Sequence, residues 1–235
     1  MLEVSGVSRP FGGVRALDAM SLSVAQGELV CLIGPNGCGK TTLLNVVTGQ
    51  VPADGGDVTL DGVSLLGRRP DAIARLGVAR KFQVPSVFED LTVRENLGVA
   101  RAAAAGGRGL PPVASVLADV HLDADADRPA GGLSHGAKQW LEIGMLLAQG
   151  PRLMLLDEPT AGMSRAETTA TAGLLLRLRA RADVSMVVVE HDMQFVEALG
   201  ARVVVMMAGR VVADGAYAHV RQLPAVREAY LGAHA

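Results

Sequence analysis

Three stretches predict an α/β fold with a parallel sheet, an antiparallel β lobe and an inserted helical lobe. The apolar run Leu29-Val30-Cys31-Leu32-Ile33 passes through GPNGCGKTT into Leu43-Leu44-Asn45-Val46-Val47, so a strand hands over to a helix across a glycine-rich turn. From residue 153 onward apolar strands and helical patterns alternate, which is how a doubly wound parallel sheet reads. Between these lie short alternating strands before residue 62 and a run of helical pattern after residue 92.

Taken in order, Leu2-Glu3-Val4 and Leu22-Ser23-Val24 alternate apolar with polar, and Gln26-Gly27-Glu28 turns the chain into the buried strand at Leu29. After the first helix, Pro52-Ala53-Asp54-Gly55-Gly56 is a turn cluster and Val58-Thr59-Leu60-Asp61-Gly62 opens another strand unit. Thr92, with Glu95 three residues on, has the form of a capping box for a helix that continues through residues 99–105. Gly106-Gly107-Arg108-Gly109 with Pro111-Pro112 breaks it, and residues 113–119 and 134–149 supply two more helices, the second containing Trp140, which reads as packing. Strands are then expected at 153–156, 185–189 and 203–207, with helices at 165–181 and 193–199.

With 235 residues and 49% hydrophobic content the chain can bury a full core. Net charge is −2 and the arginines are scattered, so no basic surface advertises nucleic-acid binding. The longest apolar runs, 184–189 and 203–208, fall far below the roughly 18 to 20 residues that span a bilayer. MLEVSGVSRPF lacks the charged start and long apolar stretch of a signal peptide, and a cytosolic chain is expected. Cys31 reads as a small buried strand residue, and Cys38 fills a position that needs only a small side chain.

The chemistry begins at Gly34, Pro35, Asn36, Gly37, Cys38, Gly39, Lys40, Thr41 and Thr42. Gly34, Gly37 and Gly39 allow a tight backbone whose N–H groups, with the positive end of the following helix, point at β- and γ-phosphates. Lys40 adds a point charge, and the Thr41 hydroxyl is placed to ligate Mg²⁺. A second buried strand ends in Asp157-Glu158-Pro159-Thr160, at the carboxyl edge where such sheets bind ligands. Asp157 suits a metal held through its water shell, and Glu158 a base that polarises the attacking water. A third ends in Glu190-His191-Asp192; His191 suits a hydrogen bond to the γ-phosphate, although a lone histidine at a strand end is more often structural. Ser134, after Pro129-Ala130-Gly131-Gly132, reads as an N-cap, and both an ordinary capped helix and a second phosphate contact fit it. His121, His219 and His234 have no such context.

Together GPNGCGKTT, Gln83 in KFQVPSVF, LSHGAKQ, LMLLDEPTAGM and VVVEHDM resemble, in order and spacing, the ATP-binding subunits of ATP-binding-cassette (ABC) transporters, over essentially the whole chain. RKFQVPSVFEDLTVRENL, LSHGAKQWLEIGMLL and EHDMQFV resemble the subunits of branched-chain amino acid and urea importers, and LSHG with KQWLEIGM most resembles the urea type. The resemblance implies a P-loop NTPase core with its β lobe over residues 1–85 and 150–235 and a helical lobe over about 86–149. It implies that Phe11 stacks on adenine, and that Gln83 touches Mg²⁺ or the attacking water and links core to helical lobe. Ser134, His135 and Gly136 would close on ATP bound to an opposing subunit in a head-to-tail dimer, with residues 161–164 communicating across it.

The same likeness implies ATP and Mg²⁺ as cofactors and ATP hydrolysis as the activity, with urea as the expected cargo and a branched-chain amino acid as the alternative. Its implied partners are transmembrane permease subunits, a second identical or homologous cassette and, indirectly, an extracytoplasmic solute-binding protein, with the chain peripheral at the cytoplasmic face of the membrane. A non-transport ATPase acting on DNA or the ribosome is the rival class; the long coiled-coil insertion common there is absent. Three positions depart from the general pattern: His135 replaces the first signature glycine, Ala137 the usual glutamine, and Ser164 a common aspartate.

Overall fold

The computed structural model describes residues 1–82, 86–104, 109–182, 184–224 and 226–227. Its first elements are β1 (Leu2–Phe11), β2 (Val14–Val24), β3 (Leu29–Ile33), α1 (Lys40–Val47), β4 (Gly55–Leu60), β5 (Val63–Ser64), α2 (Pro70–Arg75) and β6 (Val78–Lys81). Helices α3 (Val93–Ala103), α4 (Val113–Asp119) and α5 (His135–Ala148) follow. The chain then alternates through β7 (Leu153–Asp157), α6 (Arg165–Ala180), β8 (Ser185–Val189), α7 (Met193–Leu199), β9 (Arg202–Met207), β10 (Arg210–Ala216) and α8 (Tyr217–Val220).

Two sheets form. The smaller is antiparallel in the order β2-β1-β4-β5; the larger runs β10-β9-β3-β8-β7-β6, parallel throughout except where β10 pairs antiparallel with β9. The expected class is therefore the observed one. Because successive strand side chains point to opposite faces, each central strand feeds two cores. Leu29, Cys31, Ile33, Met154, Leu156, Met186 and Val188 pack on the side of α3 to α7. Their neighbours Val30, Leu32, Leu153, Leu155, Val187 and Val189 pack with α1 and the buried face of the small sheet.

Thr92 and Glu95 make the reciprocal capping box that their spacing predicts, at the start of α3. Residues 105–108, where the sequence places the end and break of that helix, lie outside the described residues. Four elements go beyond the sequence reading: α2, the edge strand β6, the returning strand β10 and the short α8. Both strands sit at the rim of the large sheet and carry charges that blur the apolar signal: Arg210 and Asp214 are exposed on β10, whereas Arg80 and Lys81 on β6 are paired with Asp157 and Glu142. The first strand also runs on to Phe11, paired with Val14 across a Gly12-Gly13 turn.

Candidate active site

Parallel pairing of β3, β8 and β7 as neighbours puts their carboxyl ends side by side, so Gly34, Glu190 and Glu158 leave the sheet at one edge although they lie far apart in sequence. The loop after β3 depends on glycine most plainly at Gly39. Its φ is +108°, and a Cβ there would lie 2.2 Å from the carbonyl oxygen of Ala16, so the start of β2 packs directly on the loop. Helix α1 has no side-chain cap, which leaves its first amides for an anion. Lys40 is buried, and its Nζ donates to the carbonyls of Gly34 (2.7 Å) and Pro35 (3.1 Å). Thr41, Asn36 and Gly37 are exposed, Pro35 and Thr42 half-buried, and Cys38 buried; burial pushes the Cys38 thiol up, which keeps it protonated.

Asp157 ends β7 inside the protein. Arg80 Nη2 donates to its Oδ2 at 3.1 Å, while Oδ1, also buried, takes no hydrogen bond. Burial raises the Asp157 carboxyl above its usual range, with the Arg80 charge opposing. One free carboxylate oxygen beside a phosphate loop fits Mg²⁺, which binds proteins through one or two carboxylates and its own waters. No group of three or more His, Cys, Asp or Glu among the described residues is placed to hold a metal ion.

Glu158 stands in the left-handed region at φ +48°, a conformation costing on the order of 1 kcal/mol that turns the chain sharply off the strand. Its amide donates to the Val189 carbonyl at 2.9 Å, and its Oε1 lies 3.0 Å from His191 Nε2. The structure thus brings together two residues assigned separate tasks from sequence. Beneath them Glu190, only 3% exposed, accepts from Thr160 N (3.1 Å) and Oγ1 (2.7 Å) and from His191 N (3.1 Å), stapling the two strand-end loops to each other. Sequence reasoning passed over Glu190 and Arg80; a carboxylate at the end of the wholly apolar Val187-Val188-Val189 was the one available signal.

Phe11 is 47% exposed at the end of β1, with the Arg9 guanidinium carbon 4.9 Å from its ring centroid. Ser134 caps α5, accepting from Ala137 N at 3.2 Å. Ser134 and His135 are exposed, and His135 Nε2 lies 3.0 Å from the Ala161 carbonyl. Gly136 is buried against Glu167, whose Oε1 would lie 2.1 Å from an added Cβ. Ser164 caps α6 in a second capping box with Glu167, so this departure from aspartate keeps an N-capping side chain. Bonds from the Ser164 amide and hydroxyl hold Glu167 below the usual carboxylate range. Among the described residues no hydrogen bond joins 134–136 to the phosphate loop; beyond α5 itself they meet Ala161 and Glu167. Gln83 lies outside the described residues. Trp140 packs at the α5–α6 contact and donates from Nε1 to Thr171 Oγ1 at 2.9 Å.

The family model described as "ABC transporter" matches residues 17–161. The branched-chain amino acid transport ATP-binding protein BraF of Pseudomonas aeruginosa is 36% identical over 99% of this chain and 98% of its own length. LivG of Escherichia coli, named for the same transport, is 34% identical over 99% and 98%. The ADP conformation of MJ1267, an ATP-binding cassette of an ABC transporter, superposes with a TM-score of 0.87 at 30% identity, covering 99% of this chain and 98% of that one. The expected urea-type likeness finds no support in these names. The chain belongs to the ABC transporter family as an ATP-binding cassette of the LivG and BraF type, and such cassettes are ATPases.

Proposed function

We propose that this cassette powers import of a branched-chain amino acid, docked with a second cassette on membrane-spanning permease subunits at the cytoplasmic face and served by an extracytoplasmic binding protein. The end-to-end likeness to BraF and LivG carries the cargo reading. The absence, among the described residues, of any helix long and apolar enough to cross a membrane accords with a peripheral subunit.

In this reading residues 34–42 cradle the phosphates of ATP, Lys40 turns from the Gly34 and Pro35 carbonyls to the β- and γ-phosphates, and Phe11 stacks on the adenine. Thr41, Asp157 and Gln83 hold Mg²⁺, which neutralises phosphate charge when bound. Glu158 takes the proton of the attacking water, and His191 donates to the γ-phosphate. In this reading the imidazole leaves its 3.0 Å contact with Glu158 for the γ-phosphate and so frees the carboxylate for water. Ser134, His135 and Gly136 complete the site of the opposing cassette.

Uptake of labelled leucine and labelled urea by the source cells, with the chain intact or carrying Lys40→Ala, tests the cargo. Loss of leucine uptake alone is expected. Loss of urea uptake alone would overturn the amino acid reading while leaving the ATPase in place.

A further inference from the structure

Strand β6 ends in two successive charges that, by the alternation of a strand, leave opposite faces of the sheet. Arg80 goes toward the phosphate-loop side, bonding Asn45 Oδ1 of α1 at 2.6 Å and Asp157 Oδ2 at 3.1 Å. Lys81 goes the other way. Its side chain is fully buried, its Nζ donates to the Phe82 carbonyl at 3.1 Å, and it lies 3.4 Å from Glu142 Oε2 on α5. The other oxygen of Glu142 accepts from Ser86 N at 2.6 Å. One carboxylate on α5 therefore holds the chain both before and after residues 83–85. Glu142 lies eight residues along α5 from the Ser134 cap, about 12 Å at the rise of an α-helix.

We propose that Lys81 and Glu142 are positioning residues that fix the signature end of α5 to the strand carrying Arg80, so that occupation of the chain's own phosphate site sets the placement of the site offered to the opposing cassette. A buried lysine paired with a buried glutamate is a costly way to join two elements if packing were the only need, since an apolar pair of like volume often serves as well or better. That comparison supplies the test. The inference rests on the proposed cassette dimer, and the two fail separately.

In a Glu158→Gln background, which serves as parent, the double substitution Lys81→Met with Glu142→Leu removes both links without stranding a buried charge. Lys81→Met with Glu142→Gln removes the ion pair but keeps an acceptor for Ser86. Thermal melting, binding of a fluorescent ATP analogue to the monomer, and ATP-dependent dimerisation by light scattering are measured for all three. Both doubles are expected to melt within a few degrees of the parent and to bind nucleotide as it does. The ATP concentration that half-closes the dimer is expected to rise about tenfold in the leucine double, and less in the glutamine double. Closure of both doubles at the parental concentration would overturn the inference alone; a parent that never dimerises would overturn the dimer reading and the inference with it. If the leucine double does not fold, the glutamine double decides by the same shift.

Discussion

The two helix starts that carry the phosphate motif and the signature motif are built in opposite ways. Helix α1 begins without a side-chain cap, behind a glycine pressed against the Ala16 carbonyl, with Lys40 folded down on the loop. Helix α5 begins with the Ser134 hydroxyl on its own Ala137 amide, with His135 at the Ala161 carbonyl and Glu167 against Gly136. The first is a backbone prepared for an anion by its own chain. The second is capped by its own Ser134 and braced by residues 161–167, yet keeps Ser134 and His135 exposed, which suits a surface presented to another molecule.

The largest expected effect breaks the first region chemically and leaves its cradle standing. Glu158→Gln removes the proposed base and its contact to His191, and phosphate release should fall by about 10² or more while nucleotide affinity stays within a few-fold. Parental turnover in this variant would remove Glu158 from the chemistry. A smaller effect belongs to the second region. Ser134→Ala should cost about 1 kcal/mol of stability through the lost cap, read as a lower melting temperature. Turnover should fall about tenfold with unchanged monomer affinity for ATP; a fall in affinity instead would mean that Ser134 serves its own chain's nucleotide.

The smallest effect sharpens the electrostatics of the first region. Burial holds the Asp157 carboxyl above its usual range, so the folded protein retains a proton that the unfolded chain has already lost. The contribution of this group is full below the ordinary value of about 4 and is lost as pH rises through the raised one. Asp157→Asn removes that dependence. Its melting temperature without nucleotide, relative to the parent, should therefore improve as pH rises from about 4 toward neutrality; a constant difference would show that Arg80 fully offsets the burial.

What could be read from the sequence followed from contrast along the chain. The apolar stretches at 29–33, 153–156 and 187–189 each stop at a polar motif, and parallel pairing carries those motifs to one edge, which is why Lys40, Asp157, Glu158 and His191 could be proposed together from sequence. The residues that support them could not. Arg80, Lys81, Glu142 and Glu190 are charges whose partners lie on other elements, and only Glu190, at the end of an apolar run, carries a local sign of its burial. Likewise Ser134 was legible as a cap, but its proximity to residues 161–167 comes from the packing of α5 on α6. The cargo was the weakest reading: the LSHG and KQWLEIGM stretches pointed to urea, while the whole-length relatives are named for branched-chain amino acids.

The central claim is that a phosphate edge complete in one chain works with a signature supplied by another. It is tested most directly by mixing two variants, one carrying Lys40→Ala and one carrying Gly136→Val, whose added side chain cannot fit beside Glu167 without displacing it. Each should be inactive alone, and the mixture should regain a clear fraction of parental turnover, because each supplies what the other lacks. A mixture as inactive as its parts, with both variants folded, would contradict the claim.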